Sequence, residues 1–146
     1  MNTVHLLDVN LLLALCDPRH VHHEAAHRWF GSTGQHGWAT CPITENGLVR
    51  IASQPRYPNS PGTPSVVFAM LKKFCQRPDH HFWPDEITLL DRKVLNSQVA
   101  LSPNQITDVY LLALAVRNRG KLATFDRTIP ALAVAGGQEA LEVVPS

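Results

Sequence analysis

No apolar run in this chain approaches the length of a membrane span, and Asp8 interrupts the one at the start, "MNTVHLLDVNLLLALCDP". That opening also lacks a basic leader and a small-residue cleavage site, so the expectation is a cytoplasmic protein without a signal peptide or membrane anchor. Cysteine is scarce: Cys16, Cys41 and Cys75 are odd in number and show no C-x-x-C spacing, which argues for free thiols rather than a disulfide framework. The phosphate-cradling pattern G-x-x-x-x-G-K-[ST] and the nucleophile elbow G-x-S-x-G are both missing, and no cysteine has an obvious histidine partner. P-loop chemistry and Ser or Cys nucleophilic catalysis therefore lack their parts. Internal repeats and low-complexity segments are absent as well. What remains, 45% hydrophobic and 17% charged residues over 146 positions, suits one globular domain spanning 1–146.

Short apolar runs alternate with helical patterns, as in a βαβ-type layered domain. "VHLLD" (4–8), "WATC" (38–41), "KLATFD" (121–126) and "LEVV" (141–144) read as strands, and "HFWPDEITLLD" as one or two extended pieces. Helices are expected in "NLLLALC", ended by Asp17-Pro18, and in "HHEAAHRWF". A third is expected in "ITENGLVRIAS" behind Pro42, and a fourth behind Thr63-Pro64 with Val67, Met70, Leu71 and Phe74 as a core or interface stripe. Gly31, Gly34 and Gly37 mark a loop, and the proline-rich 54–64 stretch another. "SPNQITDVYLLALAVRNRG" (102–120) is the clearest helix, apolar nearly all round and stopped by Gly120.

Four acids stand at special places in this layout. Asp8 ends the first strand and Asp126 the strand "KLATF"; Glu45 and Asp108 fall in the first turns of two helices. In an open parallel sheet such positions face one crevice. Each acid alone could serve a helix dipole or a turn. Together they would repel one another unless a cation or retained protons relieved them, and hard Mg²⁺ or Mn²⁺ is the natural occupant of an all-oxygen site. Such a site suits phosphodiester hydrolysis, because the metal lowers the pKa of a water and steadies charge on the leaving oxygen. With the four acids set aside, 13 basic residues face 8 acids, a surplus that favours a polyanion. Arg50, Arg56, Lys72, Lys73, Arg117, Arg119 and Arg127 are candidate phosphate contacts, solvated surface being the bland alternative for each. Asn10, Thr107 and Thr124 are placed to support the acids rather than to bind metal themselves.

The motifs "LLDVNLLLAL", "TENGLVRI" and "ITDVYLLALAVRNRGKLATFD" resemble those of the PIN-domain nucleases, and within them the VapC-like toxins of toxin–antitoxin pairs. The resemblance runs over essentially the whole chain. It implies a three-layer α/β/α PIN-like domain with a short central parallel sheet, and Mg²⁺- or Mn²⁺-dependent endoribonuclease activity. Asp8, Glu45 and Asp108 match the family's acidic triad and Asp126 its more variable fourth acid. A VapB-like antitoxin whose basic residue blocks the acids, an RNA substrate and a homodimer are implied in the same way.

Three competing readings remain. A phosphatase of another α/β family usually carries its nucleophilic aspartate in a D-x-D pattern, and here Asn10 stands where the second aspartate would be. A PIN-like fold could act as a binding module without catalysis, although the intact acids speak against it. And His23-Glu24-Ala25-Ala26-His27 is a literal match to the zinc-hydrolase pattern H-E-x-x-H. Borrowing Glu45 as third ligand would leave Asp8, Asp108 and Asp126 unexplained, so the expectation for these histidines is a solvated helix face, with His22 as a cap or groove residue. His80-His81 has even less support as a metal site.

Overall fold

The apolar runs pair into one sheet. In the computed structural model, which describes residues 2–146, the strands are β1 (His5–Leu7), β2 (Trp38–Thr40), β3 (His80–Phe82), β4 (Lys121–Thr124) and β5 (Leu141–Val143). The order is β3-β2-β1-β4-β5 and every pairing is parallel. His5 lies opposite Trp38 on one side and Lys121 on the other, which fixes the register at the centre. The chain leaves β1 for β2 and only later returns to β4 on the opposite flank, so a topological switch point opens at the carboxyl ends of β1 and β4.

Alternation sends Leu7, Trp38 and Ala123 to one face and Leu6, Ala39 and Leu122 to the other. The first face is covered by α1 (Val9–Cys16), α2 (His23–Ser32), α3 (Pro42–Ala52) and α4 (Pro64–Cys75), which contribute Leu11, Trp29, Leu48 and Val67 to the core. The α4 stripe thus faces inward, with Val67 and Leu71 buried and Met70 and Phe74 half-buried. On the second face lies α5 (Ile106–Arg117), whose Leu111 to Ala115 are all buried. Its all-round apolarity has a direct cause: the irregular segment behind β3 lays Ile87, Leu89, Val94 and Leu95 over the side that the sheet leaves open. A last helix, α6 (Gly137–Ala140), precedes β5. The result is the expected three-layer α/β/α arrangement. No helix among the described residues is long and apolar enough to cross a membrane.

Local differences from the expectations have plain reasons. Gly31 sits inside α2, and Gly34 opens a 3-10 turn rather than a free loop. The left-handed residue ending α5 is Arg119 (φ 57°), not Gly120. Gly120 is needed for space instead: a β-carbon there would run into the Val4 carbonyl oxygen and the Trp83 ring. The proline-rich loop is anchored at the end of α1, where Asp17 accepts hydrogen bonds from the Tyr57 hydroxyl (2.7 Å) and the Asn59 amide (3.0 Å).

The H-E-x-x-H face is solvated at Glu24 and His27 and half-buried at His23, and both histidines also reach back to α1. His23 Nδ1 lies 2.7 Å from the Ala14 carbonyl oxygen and His27 Nε2 lies 2.9 Å from that of Leu15. Carbonyls at the C-terminal end of a helix lack intrahelical partners, so α2 satisfies the last turn of α1. His22 stacks on Phe125, ring centroids 4.8 Å apart, and makes no capping hydrogen bond.

Gly120→Ala should lower stability by about 1–3 kcal/mol, since backbone and an indole ring must give way. A denaturant titration of the two proteins measures the shift in midpoint.

Candidate active site

Asp8 follows β1 directly and caps α1. Its Oδ1 accepts from the Val9 N–H (2.8 Å) and its Oδ2 from the Thr124 hydroxyl (2.8 Å). Only 6% of the residue is exposed. Thr124, the last residue of β4, is fully buried and uses every valence of its hydroxyl: it donates to Asp8, and accepts from Asn10 Nδ2 (3.0 Å) and from the Asp126 N–H (3.0 Å). Asn10 Oδ1 in turn accepts from the Phe125 N–H (3.2 Å). Thr124 and Asn10 thus lock β1, α1 and the exit of β4 together. Asp126 Oδ1 accepts from the N–H (2.8 Å) and hydroxyl (2.6 Å) of Thr128, which closes the turn that presents it.

Asp108, in the first turn of α5, comes up to the same place from the other helix layer. Burial, then the charges of Asp8 and Asp126, push its carboxyl up to about 6. Asp8 is raised too, first by burial and also by Asp126, against the lowering pull of the Thr124 and Val9 hydrogen bonds. Asp8, Asp108 and Asp126 therefore share one electrostatic environment. Among the described residues the one ion pair is His5 with Glu142, far along the chain, so no lysine or arginine neutralises these acids.

Glu45 is not among the charges that raise Asp8 and Asp108. It occupies the first turn of α3, where its Oε2 accepts from the Thr40 hydroxyl at 2.6 Å. The same hydroxyl lies 2.8 Å from His80 Nε2, and Cys75 adjoins them. Cys75 and His80 thus lie near one another, although no hydrogen bond joins them among the described residues. Cys75 and His80 are separated by four residues at the junction of α4 and β3, a spacing that matches no recognised metal motif. Thr107 is exposed and makes no side-chain hydrogen bond among those described; Gln105 holds the N-cap position of α5, and Ser102 with Gln105 closes the turn before it. The zinc pattern also lacks a third ligand. Among the described residues no His, Cys, Asp or Glu joins His23 and His27 in a metal-sized group, and one ring nitrogen of each is taken up by a carbonyl oxygen of α1.

A parallel α/β/α layering with carboxylates at the β1/β4 switch point defines a PIN-like domain. The fold matches VapC20 of Mycobacterium tuberculosis, described as a sarcin–ricin loop cleaving toxin (TM-score 0.58, 11% identity, 90% of this chain and 96% of that one). It also matches VapBC2 of Rickettsia felis bound to a DNA fragment from its promoter (TM-score 0.56, 14% identity, 97% and 99%). No family model matches the chain. Ribonuclease VapC44 of Mycobacterium tuberculosis is 47% identical over 131 residues, 90% of this chain and 92% of that protein. Ribonuclease VapC39 of the same organism is 43% identical over 136 residues, 93% and 98%. The chain belongs to the VapC ribonuclease family.

The raised carboxyl of Asp108 fixes a sign for pH dependence. Its folded-state pKa of about 6 exceeds the ordinary 3.8, so the folded chain holds this proton more tightly than the unfolded one. Without metal, that contribution to stability is present below about 4 and is lost as the pH rises to about 6. Asp108→Asn should therefore melt a few degrees above the parent protein at pH 7 in chelator, with the gap closing toward pH 4. Added Mg²⁺ should narrow or reverse the order, because only the parent retains the full ligand set. Thermal melts across pH, with and without Mg²⁺, measure both effects.

Proposed function

We propose that this chain is a metal-dependent endoribonuclease, the toxin of a VapBC-type pair, with Asp8, Glu45, Asp108 and Asp126 holding Mg²⁺ or Mn²⁺ directly or through water. The observation that carries this reading is the gathering of Asp8, Asp108 and Asp126 at the switch point with no basic partner. The donors are all oxygen, Asp8 is nearly buried, and its two oxygens each accept a single protein hydrogen bond, so lone pairs remain for a cation. A bound divalent ion would neutralise charge on the scissile phosphate and lower the pKa of the attacking water.

The chain's own residues do the rest. Thr124 and Asn10 fix the direction of Asp8 and the height of Asp126. Glu45 completes the acidic set from the neighbouring helix. Arg127, exposed and adjacent to Asp126, would contact an RNA phosphate. An antitoxin arginine or lysine would supply the cationic partner that the chain itself withholds from these acids, displacing the metal and blocking substrate. Residues 1–146 act as one domain in this reading, as a homodimer with Val66 and Phe68 on the outer side of α4 as available apolar surface, and in the cytoplasm, where three free thiols are stable.

The test is cleavage of a mixed RNA pool in chelator, then with Mg²⁺ or Mn²⁺ restored. Asp8→Asn should cut at least ~100-fold more slowly. Thr124→Val, which leaves Asp8 with only the Val9 N–H as donor, should lose roughly 10–100-fold. His23→Ala should keep both activity and metal preference. Full cleavage by Asp8→Asn would sink the carboxylate mechanism.

A further inference from the structure

Beside the acidic cluster lies a second group of a different chemical kind. Cys75 ends α4, His80 begins β3, and Glu45 reaches toward both from α3. One ligand atom from each, the thiol sulfur, an imidazole nitrogen and a carboxylate oxygen, lies within 4.8 Å of the other two. All three residues are half-buried, so a small ion can enter while the surroundings limit water. The group is also held from behind. The His80 ring packs on buried Trp38 at 4.6 Å, Asp79 takes a left-handed backbone (φ 67°) immediately before it, and the buried Thr40 hydroxyl binds both Glu45 and His80.

We propose that Cys75, His80 and Glu45 form a site for a borderline-soft divalent cation, Zn²⁺ foremost, which shares Glu45 with the hard-cation set of the acidic cluster. A sulfur–nitrogen–oxygen donor set selects Zn²⁺ over Mg²⁺, because thiolate and imidazole are poor ligands for a hard ion. Tetrahedral bonds of ordinary length place ligand atoms roughly 3.4–3.6 Å apart, so the three side chains need to draw together by only about an ångström. Three protein ligands leave the fourth position for water. Binding releases the thiol proton to solvent, and Nε2 of His80, now within reach of the Thr40 hydroxyl, gives up its hydrogen while Nδ1 carries one. Glu45 would at the same time leave Thr40.

The functional consequence rests on the nuclease reading above: zinc that captures Glu45 removes one acid from the Mg²⁺ set and lowers cleavage. Binding itself does not depend on that reading, so the two can fail separately. Full-length reduced protein is titrated with Co²⁺ and followed by the thiolate-to-cobalt charge-transfer absorption, then challenged with Zn²⁺ and with Mg²⁺. The expected result is one Co²⁺ per chain with thiolate absorption, bleached by Zn²⁺ and untouched by Mg²⁺. Cys75→Ser should abolish the band and His80→Ala should weaken binding at least about tenfold. Cys16→Ser and Asp108→Asn should keep it, with circular dichroism confirming that each variant is folded. In parallel, Zn²⁺ should suppress Mg²⁺-supported RNA cleavage by the parent, and should do so less in Cys75→Ser relative to that variant's own zinc-free rate. A band that survives Cys75→Ser, a band lost in Cys16→Ser instead, or no thiolate band at all overturns the site. A band that behaves as expected, in a protein that cuts no RNA under any metal, leaves the zinc site standing and removes the nuclease reading.

Discussion

The hydroxyl of Thr124 offers one proton and two lone pairs, and all three are engaged where β1, α1 and β4 converge. Without that junction, Asp8 would keep only the Val9 N–H, the Asn10 amide would lose its anchor across the sheet, and the turn carrying Asp126 would be free to swing. A buried hydroxyl is costly unless satisfied, so the arrangement holds as a unit or not at all. It is placed there by the topology: β4 adds to β1 on the side opposite β2, which brings residues more than 100 positions apart into register, Leu7 against Ala123. The chemistry at the crevice is thus a consequence of strand order before it is a property of any single acid.

That placement sets stability against function. Three carboxylates that no lysine or arginine ion-pairs weigh on the metal-free fold, and burial first, then their mutual repulsion, raises the proton affinity of Asp8 and Asp108. A surface designed only to be stable would put a basic side chain among them. Leaving the counter-charge to come from outside makes the site responsive to whatever cation is offered, an ion during catalysis or a basic side chain of a protein partner during inhibition. Asp108 also shows why α5 must be buried on nearly every side: its first turn can be fixed over the crevice only if the helix is pinned between sheet and outer segment.

Much of this was legible in the sequence, and for reasons that can be named. Short β runs ending in Asp8 and Asp126 betray parallel strands whose carboxyl ends share a crevice, and the apolar block from Leu111 to Ala115 betrays a central helix. What spacing could not show was direction. Glu45 sits in the expected first turn, and its carboxylate accepts from the Thr40 hydroxyl, a partner that its spacing does not name. Thr107 was an expected helper by position, but the turn formed by Ser102 and Gln105 leaves it on the surface. Cys75 and His80 meet only because α4 hands the chain to an edge strand beside β2, a pairing across the sheet that no short motif encodes.

The histidines make the same point from the opposite side. On a helix, residues four apart lie on one face, so H-E-x-x-H guarantees that His23 and His27 are neighbours; their ring centroids are indeed 4.3 Å apart. It does not determine what that face meets. Here it meets the C-terminal end of α1, whose carbonyl oxygens accept from one ring nitrogen of each histidine, and among the described residues no third metal-binding side chain joins the pair. A metal motif is therefore a statement about two side chains and an unfilled third partner. In α2 that partner is a helix end, whereas at Cys75, His80 and Glu45, with no motif to announce it, the open partner is the ion itself.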